Sequence, residues 1–406
     1  ERATGRAVHH AIVWQDRRTA DRCLELAPQA KMIAAKAGLV TDPYFSATKL
    51  EWLLQRPGMG ERAARGELAA GTIDSWLVWH LTGGAAHVTD HTNASRTMLY
   101  DLETHDWSPA LCALFNVPEQ LLPRIMSSSG LVGTALASVL GYEIPIMGIA
   151  GDQQAALYGQ GCLEPGQGKN TYGTGSFVLL NSGAAPPLAP PGLLTTVAWQ
   201  IGERTVYALE AAIFVTGAAV QWLRDGLGII EAAAETEALA ASLAANDGVY
   251  FVPALTGLGS PHWDPYARGT ITGLTRGAGR AHLARATLEA IAYQTVDAVR
   301  AMEAASGTPL TELKADGGAT VNGWLMQFQA DVLGVPVVVA EITETTALGA
   351  AMLAGVGAGV FTQADVGRTH RSRAQLEPRM GEDERLGLLA GWHDALARAR
   401  GVAPRG

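Results

Sequence analysis

One acidic residue of this chain stands where an α/β protein can carry out chemistry. The apolar run over residues 144–149 predicts a strand buried on both faces, and Asp152 follows it at the start of a predicted helix. Ligands of open α/β sheets bind at the carboxyl ends of strands. A carboxylate there can accept the proton of a substrate hydroxyl, as phosphoryl transfer to an alcohol requires. The alternative, in which Asp152 only caps its helix, fits the spacing equally well, and the neighbouring Gln153 has the same two interpretations.

Two glycine-rich turns could cradle a phosphate. The first has Thr174 between two glycines in the stretch 171–176 (TYGTGS), where a bare backbone lets N–H groups approach an anion closely. The second, 316–318 (DGG), follows another predicted strand and precedes a helix that begins near Asn322. Both patterns also occur in turns that bind nothing. On sequence alone that alternative is favoured for the first turn and stays open for the second.

Several other chemistries are excluded because their motifs are missing. The chain has no Walker lysine loop and no Gly-x-Gly-x-x-Gly fingerprint between a strand and a helix, which argues against P-loop and dinucleotide chemistry. None of the ten histidines has the spacing of a metal site. We therefore predict no metal-ligating residues.

The composition indicates a globular protein with two domains. The chain has 406 residues, of which 48% are hydrophobic and 17% charged, so a disordered protein is excluded. The net charge of −9 argues against a general nucleic-acid binder. No stretch predicts a membrane span. The three cysteines are scattered, which is typical of a cytosolic protein with buried thiols.

The elements that must position these residues alternate between helix and strand. Residues 8–14 predict a strand entering the core, residues 89–96 a loop, and residues 281–305 a long helix. A glycine-rich crossing over residues 159–168 precedes a hairpin over residues 170–180. This order predicts an α/β layer with a mixed sheet. We place the two predicted domains at residues 1–160 and 161–406.

Taken in order, these stretches resemble the FGGY carbohydrate kinase family along nearly the whole chain. The matching segments are 11–19 (AIVWQDRRT), 42–46 (DPYFS), 90–97 (DHTNASRT), 151–154 (GDQQ), 170–175 (NTYGTG) and 263–269 (WDPYARG). Both family signatures are present: one runs from Tyr44 through Trp52 and departs from the pattern at Arg56, and the other runs from Gly269 to Glu289. Long matches in a conserved order are far more specific than a lone motif.

The resemblance implies a fold of two actin-like (ribonuclease H-like) domains around a cleft. It also implies phosphorylation of glycerol by ATP with Mg²⁺, in a cytoplasmic homo-oligomer (dimer or tetramer) without nucleic-acid or membrane partners. Two alternatives are a kinase of the same family for another sugar or polyol, such as xylulose or gluconate, and an inactive fragment that only binds nucleotide.

The resemblance also implies roles for individual residues. By position, Asp152 looks like the base that deprotonates the attacking hydroxyl. Tyr44 and Gln153 look like hydroxyl partners, and Trp14 with Phe177 like apolar walls of the glycerol site. The implied nucleotide contacts are Thr174, Gly175, Gly217, Gln221, Gly318 and Asn322. Without the resemblance, core packing accounts for the aromatic residues, and polar helix faces account for Gln221 and Asn322.

Two family features are missing near Glu1. Members begin with an Asp-x-Gly-Thr-Thr/Ser phosphate loop, followed by an Arg-Glu pair that grips glycerol, and this chain contains neither. Since the chain also starts without Met, we expect it to begin partway through a longer protein, with an incomplete first domain. Each lost electrostatic donor contributes roughly 10²–10³ in rate. We therefore expect weak nucleotide binding and little turnover from these 406 residues alone.

Overall fold

Helices and strands alternate along the chain in the computed structural model, which describes residues 1–369 and 371–401. The strands are β1 (Val88–Asp90), β2 (Tyr100–Asp101), β3 (Asp106–Trp107), β4 (Arg124–Met126), β5 (Ser129–Ala135), β6 (Ile144–Gly148), β7 (Gln167–Tyr172), β8 (Ser176–Gly183), β9 (Leu194–Ile201), β10 (Arg204–Ile213), β11 (Tyr250–Val252), β12 (Thr270–Thr272), β13 (Glu312–Asp316), β14 (Val337–Ala340) and β15 (Ser372–Leu376). The helices are α1 (Ala20–Glu25), α2 (Ala30–Ala37), α3 (Ala47–Leu54), α4 (Met59–Ala64), α5 (Ile73–Leu81), α6 (His91–Ala94), α7 (Pro109–Leu114), α8 (Ala137–Leu140), α9 (Asp152–Gly159), α10 (Gly217–Gln221), α11 (Glu235–Ala241), α12 (Arg280–Ser306), α13 (Gly323–Leu333), α14 (Thr345–Gly357), α15 (Gln363–Thr369) and α16 (Glu382–Ala399).

A nine-stranded mixed sheet joins most of these strands in the order β15-β14-β13-β7-β8-β10-β9-β5-β6. Strands β14, β13 and β7 run parallel, whereas β7, β8, β10 and β9 are antiparallel neighbours. The parallel pair β7 and β13 therefore ends at one edge of the sheet, which is where α/β proteins bind ligands. Strands β5 and β6 precede residue 160 but extend the same sheet, and the division into domains at that residue stays a prediction.

Helices cover both faces of this sheet. On one face, apolar residues of β7, β8 and β10 pack with α12, α13 and α16 in the largest core cluster. On the other face, Leu179 and Ala208 pack with Tyr158 of α9 and Leu353 of α14. A separate cluster, which includes Ile33, joins α2, α3, α4 and α7 and reaches Leu194 of β9. Because alternate strand residues point to opposite faces, the register of the sheet decides which side chains meet α9.

Some elements differ from the prediction. Residues 8–14 form no strand: the Val13 carbonyl instead accepts a hydrogen bond from Lys49 Nζ at 2.7 Å, and no neighbouring strand supplies a ladder. Residues 89–96, predicted as a loop, contribute to β1 and form α6. Strand β6 lies at the end of the sheet and is half-buried, so the prediction of burial on both faces was wrong. The long helix α12 agrees with its prediction to one residue at each end.

The cysteines confirm the prediction of buried thiols. Cys23, Cys112 and Cys162 are all buried and free. Burial raises the pKa of the Cys23 thiol to about 11 and those of Cys112 and Cys162 to about 12. These thiols therefore stay neutral and behave as small apolar side chains.

Within residues 1–369 and 371–401, no helix combines the length and the apolar character that crossing a lipid bilayer demands.

A hydrogen bond between a histidine of α16 and an aspartate of α12 connects the two helices. His393 Nε2 lies 2.8 Å from Asp297 Oδ1, and Trp392 Nε1 donates to Asp297 Oδ2 at 2.7 Å. The hydrogen bond to Asp297 raises the pKa of His393 in the folded protein. A raised histidine pKa stabilises the fold fully below the unfolded value of about 6.5 and loses this contribution as the pH rises through the folded value.

We therefore expect His393→Gln to flatten the pH dependence of stability above about pH 6.5. The measurement is the urea midpoint between pH 6 and 9, which should fall with pH more steeply in the wild type than in the variant. The exposed His10 provides the matched control, since His10→Gln should leave the slope unchanged. Equal slopes in wild type and His393→Gln would show that the contact does not contribute.

Candidate functional site

The carboxyl ends of β7 and β13 carry several polar side chains on one face of the sheet. In the register, Thr171 lies opposite Asp316 on one side and Phe177 on the other. Directly opposed residues of neighbouring strands point to the same face. This row therefore faces the side that α9 and α14 cover.

A second row on the same face holds two buried charges. Leu179 of β8 lies between them in the sheet. Lys169 of β7 is directly opposite it on one side, and Glu210 of β10 is directly opposite it on the other. Lys169 is 0% exposed and Glu210 is 1% exposed. Burial of a charge is costly unless it is paired, so both need partners within the fold.

Two contacts hold helix α9 over these rows, one with Thr92 and one with α14. The backbone N–H of Gly151, which precedes the helix, donates to Thr92 Oγ1 at 2.7 Å. A Cβ at Gly349 of α14 would collide with the Ala155 carbonyl of α9. Because only glycine allows the two helices to approach so closely, this contact fixes the position of α9 against α14.

Asp152 is the first residue of α9, and its side chain is exposed. Gly151 is the N-cap of the helix, so the alternative in which Asp152 serves only as a cap was wrong. Its Oδ1 accepts the backbone N–H of Gln153 at 2.8 Å, and its Oδ2 lies 3.5 Å from Gln153 Nε2. The carboxylate is thus oriented on one side and open to a ligand on the other.

Gln153 connects Asp152 to the buried lysine. Its Oε1 accepts a hydrogen bond from Lys169 Nζ at 2.5 Å, and Lys169 also donates to Thr171 Oγ1 at 2.9 Å. Burial lowers the pKa of the Lys169 ammonium, and the nearby carboxylates of Asp316, Glu210 and Asp152 oppose that shift.

The second buried charge pairs with an arginine from the other side of the site. Arg96 Nη2 lies 2.7 Å from Glu210 Oε1. Burial lowers the pKa of Arg96, but the carboxylates of Glu210 and Asp152 and the phenol of Tyr44 outweigh it and leave that pKa raised. Arg96 Nη1 and Glu210 Oε2 are buried with no hydrogen-bond partner among the described residues. Since buried polar atoms are normally satisfied, these two are available to the hydroxyls of a ligand.

Aromatic residues line the same region. The ring of Trp14 lies 5.3 Å from that of Tyr44, and Arg96 lies over the ring of Phe45. Trp14 is 54% exposed, which leaves an apolar face open to a ligand. Burial raises the pKa of the Tyr44 hydroxyl, on which Arg96 and Asp152 also act. Phe177 packs against the cluster beneath α9.

Three of the predicted nucleotide residues come together at the end of β7. The N–H groups of Gly217 and Ala218 donate to the carbonyls of Gly173 and Thr174, both at 3.0 Å. A Cβ at Gly217 would lie 2.6 Å from the Gly173 carbonyl, so glycine permits this close approach. The turn that contains Thr174 and Gly175 is therefore fixed against the start of α10.

The other three predicted nucleotide residues have different surroundings. Gly318, after β13, and Gln221, at the end of α10, are both exposed. Asn322 is 9% exposed, its Oδ1 accepts the Leu325 N–H as the N-cap of α13, and its Nδ2 donates to Thr236 Oγ1 at 3.2 Å. Both ends of its amide are therefore in use within the fold, in a buried cap and not on the polar helix face that the alternative from sequence names.

Sequence reasoning missed Lys169, Arg96 and Glu210 as members of the site. Glu210 had a usable signal, because an acidic residue inside the apolar strand β10 has to find a partner. Arg96 lies within the matching segment 90–97, and Lys169 directly precedes the segment 170–175, but neither residue was itself predicted to belong to the site. No local pattern shows that these side chains converge on Asp152.

Among the residues that the structure describes, no group of three or more His, Cys, Asp or Glu side chains is placed to hold a metal ion. Mg²⁺ in nucleotide-dependent enzymes usually binds through substrate phosphates, water and one or two carboxylates. Any Mg²⁺ here would therefore be held mainly by nucleotide phosphates and water, with one or two carboxylates of the site.

Comparison with known proteins connects this site to one family. The FGGY family of carbohydrate kinases matches through its N-terminal domain at residues 2–159 and its C-terminal domain at residues 168–358. Glycerol kinase of Aromatoleum aromaticum is 58% identical over 99% of this chain and 82% of its own length. Glycerol kinase of Dechloromonas aromatica is 56% identical over 98% of this chain and 80% of its own length.

A solved structure shows the same architecture. Plasmodium falciparum glycerol kinase with ADP superposes with a TM-score of 0.93 at 35% identity, over 98% of this chain and 80% of that protein. The predicted fold of two actin-like (ribonuclease H-like) domains is thereby confirmed. Since both domain families and close relatives match nearly the whole sequence, the chain belongs to the FGGY family of carbohydrate kinases.

Proposed function

We propose that the full reading frame encoding this chain specifies an enzyme that transfers the γ-phosphoryl group of ATP to glycerol and releases sn-glycerol 3-phosphate and ADP, whereas we expect little turnover from these 406 residues alone. The observation that carries the proposal is the exposed carboxylate of Asp152, which lies at the start of α9 above the carboxyl ends of β7 and β13. The relatives with identities of 56–58% are glycerol kinases, which supports glycerol over other polyols.

The proposed reaction begins with proton transfer to Asp152. The carboxylate accepts the proton of a primary hydroxyl of glycerol. The hydroxyl oxygen forms a bond to the γ-phosphorus of ATP as the bond from that phosphorus to the bridging oxygen of ADP breaks. The proton then leaves Asp152 through the exposed side of the carboxylate.

The remaining polar residues of the site would select and hold the polyol. Tyr44 and Gln153 would bind its hydroxyls, and the free Arg96 Nη1 and Glu210 Oε2 atoms add a donor and an acceptor. Trp14 and Phe177 would pack against the carbon skeleton from opposite sides. A small apolar-walled site with a few fixed polar groups is what selection of a three-carbon alcohol requires.

ATP would bind beside this site as the second substrate. The turn with Thr174 and Gly175, the start of α10 at Gly217, and the exposed Gly318 offer bare backbone to phosphates. Gln221 and Asn322 complete the proposed nucleotide contacts, with Asn322 limited to what its capping role allows. Mg²⁺ would bind together with the nucleotide phosphates.

The test is ADP formation from ATP in the presence of glycerol, xylulose or gluconate. It is run on these 406 residues and on the full reading frame that encodes them. We expect kcat/KM for glycerol to exceed that for the other two compounds by at least about 100-fold. A preference for xylulose or gluconate would overturn glycerol as the substrate. Nucleotide binding in calorimetry without turnover of any compound, in either form, would favour a binding module.

A further inference from the structure

Lys169 is a buried cation whose hydrogen bonds lead to the proposed base. Its side chain is 0% exposed, and it lies on the sheet face beneath the start of α9. A buried ammonium has three donors and no acceptor. Two of these donors are directed at Gln153 Oε1 and Thr171 Oγ1. Lys169 cannot touch a ligand from this position, so any part in the reaction has to pass through its neighbours.

The ammonium determines which end of the Gln153 amide faces Asp152. Only the carbonyl oxygen of an amide can accept a hydrogen bond from an ammonium. With Oε1 held by Lys169, Nε2 is left 3.5 Å from Asp152 Oδ2 as a donor. The flipped amide would place its NH₂ group against the ammonium and its oxygen against the carboxylate, which makes two repulsive contacts.

The charge of Lys169 also acts on Asp152 directly. Lys169 lies among the carboxylates of Asp152, Glu210 and Asp316, and their charges interact with it. A nearby cation favours the ionised form of a carboxylate. A base must be ionised to accept the hydroxyl proton.

From this geometry we propose that Lys169 is a positioning residue, which orients the Gln153 amide and through it holds the Asp152 carboxylate ready to accept a proton. The proposal rests on the proposed function, because it assigns Asp152 the role of base. No contact between Lys169 and glycerol or ATP is needed.

The main test compares Lys169→Met with Lys314→Met by steady-state kinetics across pH, using the full reading frame. Lys314 is a second buried lysine, 7% exposed and directly opposite Lys169 in the sheet, but its Nζ donates to the Gly161 carbonyl. We expect Lys169→Met to lower kcat by roughly 10–100-fold, with a smaller change in KM, because the base is misplaced. The acid limb of the pH profile should move up, because the cation no longer favours an ionised base. Lys314→Met should keep the wild-type profile.

Two further variants separate positioning from general structural damage. Gln153→Glu keeps a partner for Lys169 but places a second carboxylate beside Asp152, so it should move the acid limb upward as well. This variant decides the matter if Lys169→Met does not fold. Lys169→Arg keeps the positive charge, and we expect it to restore the position of the acid limb even if kcat stays low.

A measurement without turnover keeps this inference separate from the proposed function. The Asp152 carboxyl can be titrated by ¹³C NMR in aspartate-labelled protein, with Asp152→Asn used to assign its signal. We expect a higher titration midpoint in Lys169→Met than in the wild type. An active wild type whose midpoint and acid limb are unchanged in Lys169→Met would overturn the role of Lys169 alone. A wild type without glycerol turnover would overturn the proposed function, and the NMR comparison would still decide whether Lys169 controls Asp152.

Discussion

Asp152→Asn should reduce glycerol-dependent ADP formation by about 10²–10⁴-fold, the usual contribution of a positioned general base. Asparagine has nearly the shape of aspartate but cannot accept the hydroxyl proton. Because the side chain is exposed and Gly151 caps α9, the substitution should leave the fold intact. The loss should therefore appear in kcat, with a much smaller change in the KM for glycerol.

The measurement is a coupled ADP assay of the full reading frame at saturating ATP, together with the urea midpoint as a check of folding. Asp383→Asn is the matched control, since Asp383 is an exposed aspartate in the first turn of α16. We expect that variant to keep wild-type kinetics. Unchanged kcat in Asp152→Asn would remove Asp152 from the chemistry and leave the mechanism without a base.

The second large effect concerns the stability of the buried ion pair between Arg96 and Glu210. The two side chains are 16% and 1% exposed. Arg96→Met leaves the Glu210 carboxylate buried without its cation. We expect the free energy of unfolding to fall by about 3–5 kcal/mol, as when one partner of a buried ion pair is removed.

Urea unfolding followed by fluorescence and by circular dichroism measures this loss. The double variant Arg96→Met/Glu210→Met removes both charges, and we expect it to recover much of the lost stability, because no unpaired charge remains. Arg224→Met breaks an exposed pair with Asp225, whose side chains are 44% and 64% exposed, and should change stability by at most about 1 kcal/mol. If Arg96→Met costs no more than Arg224→Met, Glu210 finds compensation elsewhere.

Much of this protein follows from local sequence. The start of α9 behind an apolar strand, the hairpin of β7 and β8 and the length of α12 all come from hydrophobic period and turn residues. The strand predicted over residues 8–14 failed because a strand needs a neighbour, and an apolar run does not show whether one is present. The prediction of burial on both faces was wrong for β6 because an apolar run does not show where its strand lies in the sheet. The topology places β6 at the end of the sheet.

In the candidate site, too, local sequence predicts one residue, whereas the tertiary structure brings its partners to it. Asp152 could be found as a carboxylate at the end of a strand, and its proposed role as a base follows from chemistry that a short segment already specifies. Its partners lie on separate strands and loops: Lys169 comes 17 residues later, and Arg96 reaches Glu210 across a separation of 114 residues.

The sequence by itself determined the family, the helices and strands that carry the motifs, and the identity of the candidate base. Only the tertiary structure decided that Lys169 and Glu210 share one face of the sheet, that the Gln153 amide presents its NH₂ group to Asp152, and that Gly151 rather than Asp152 caps α9. The physical reason is that hydrophobic period and turn chemistry act over a few residues, whereas sheet register and charge pairing depend on segments far apart in the chain.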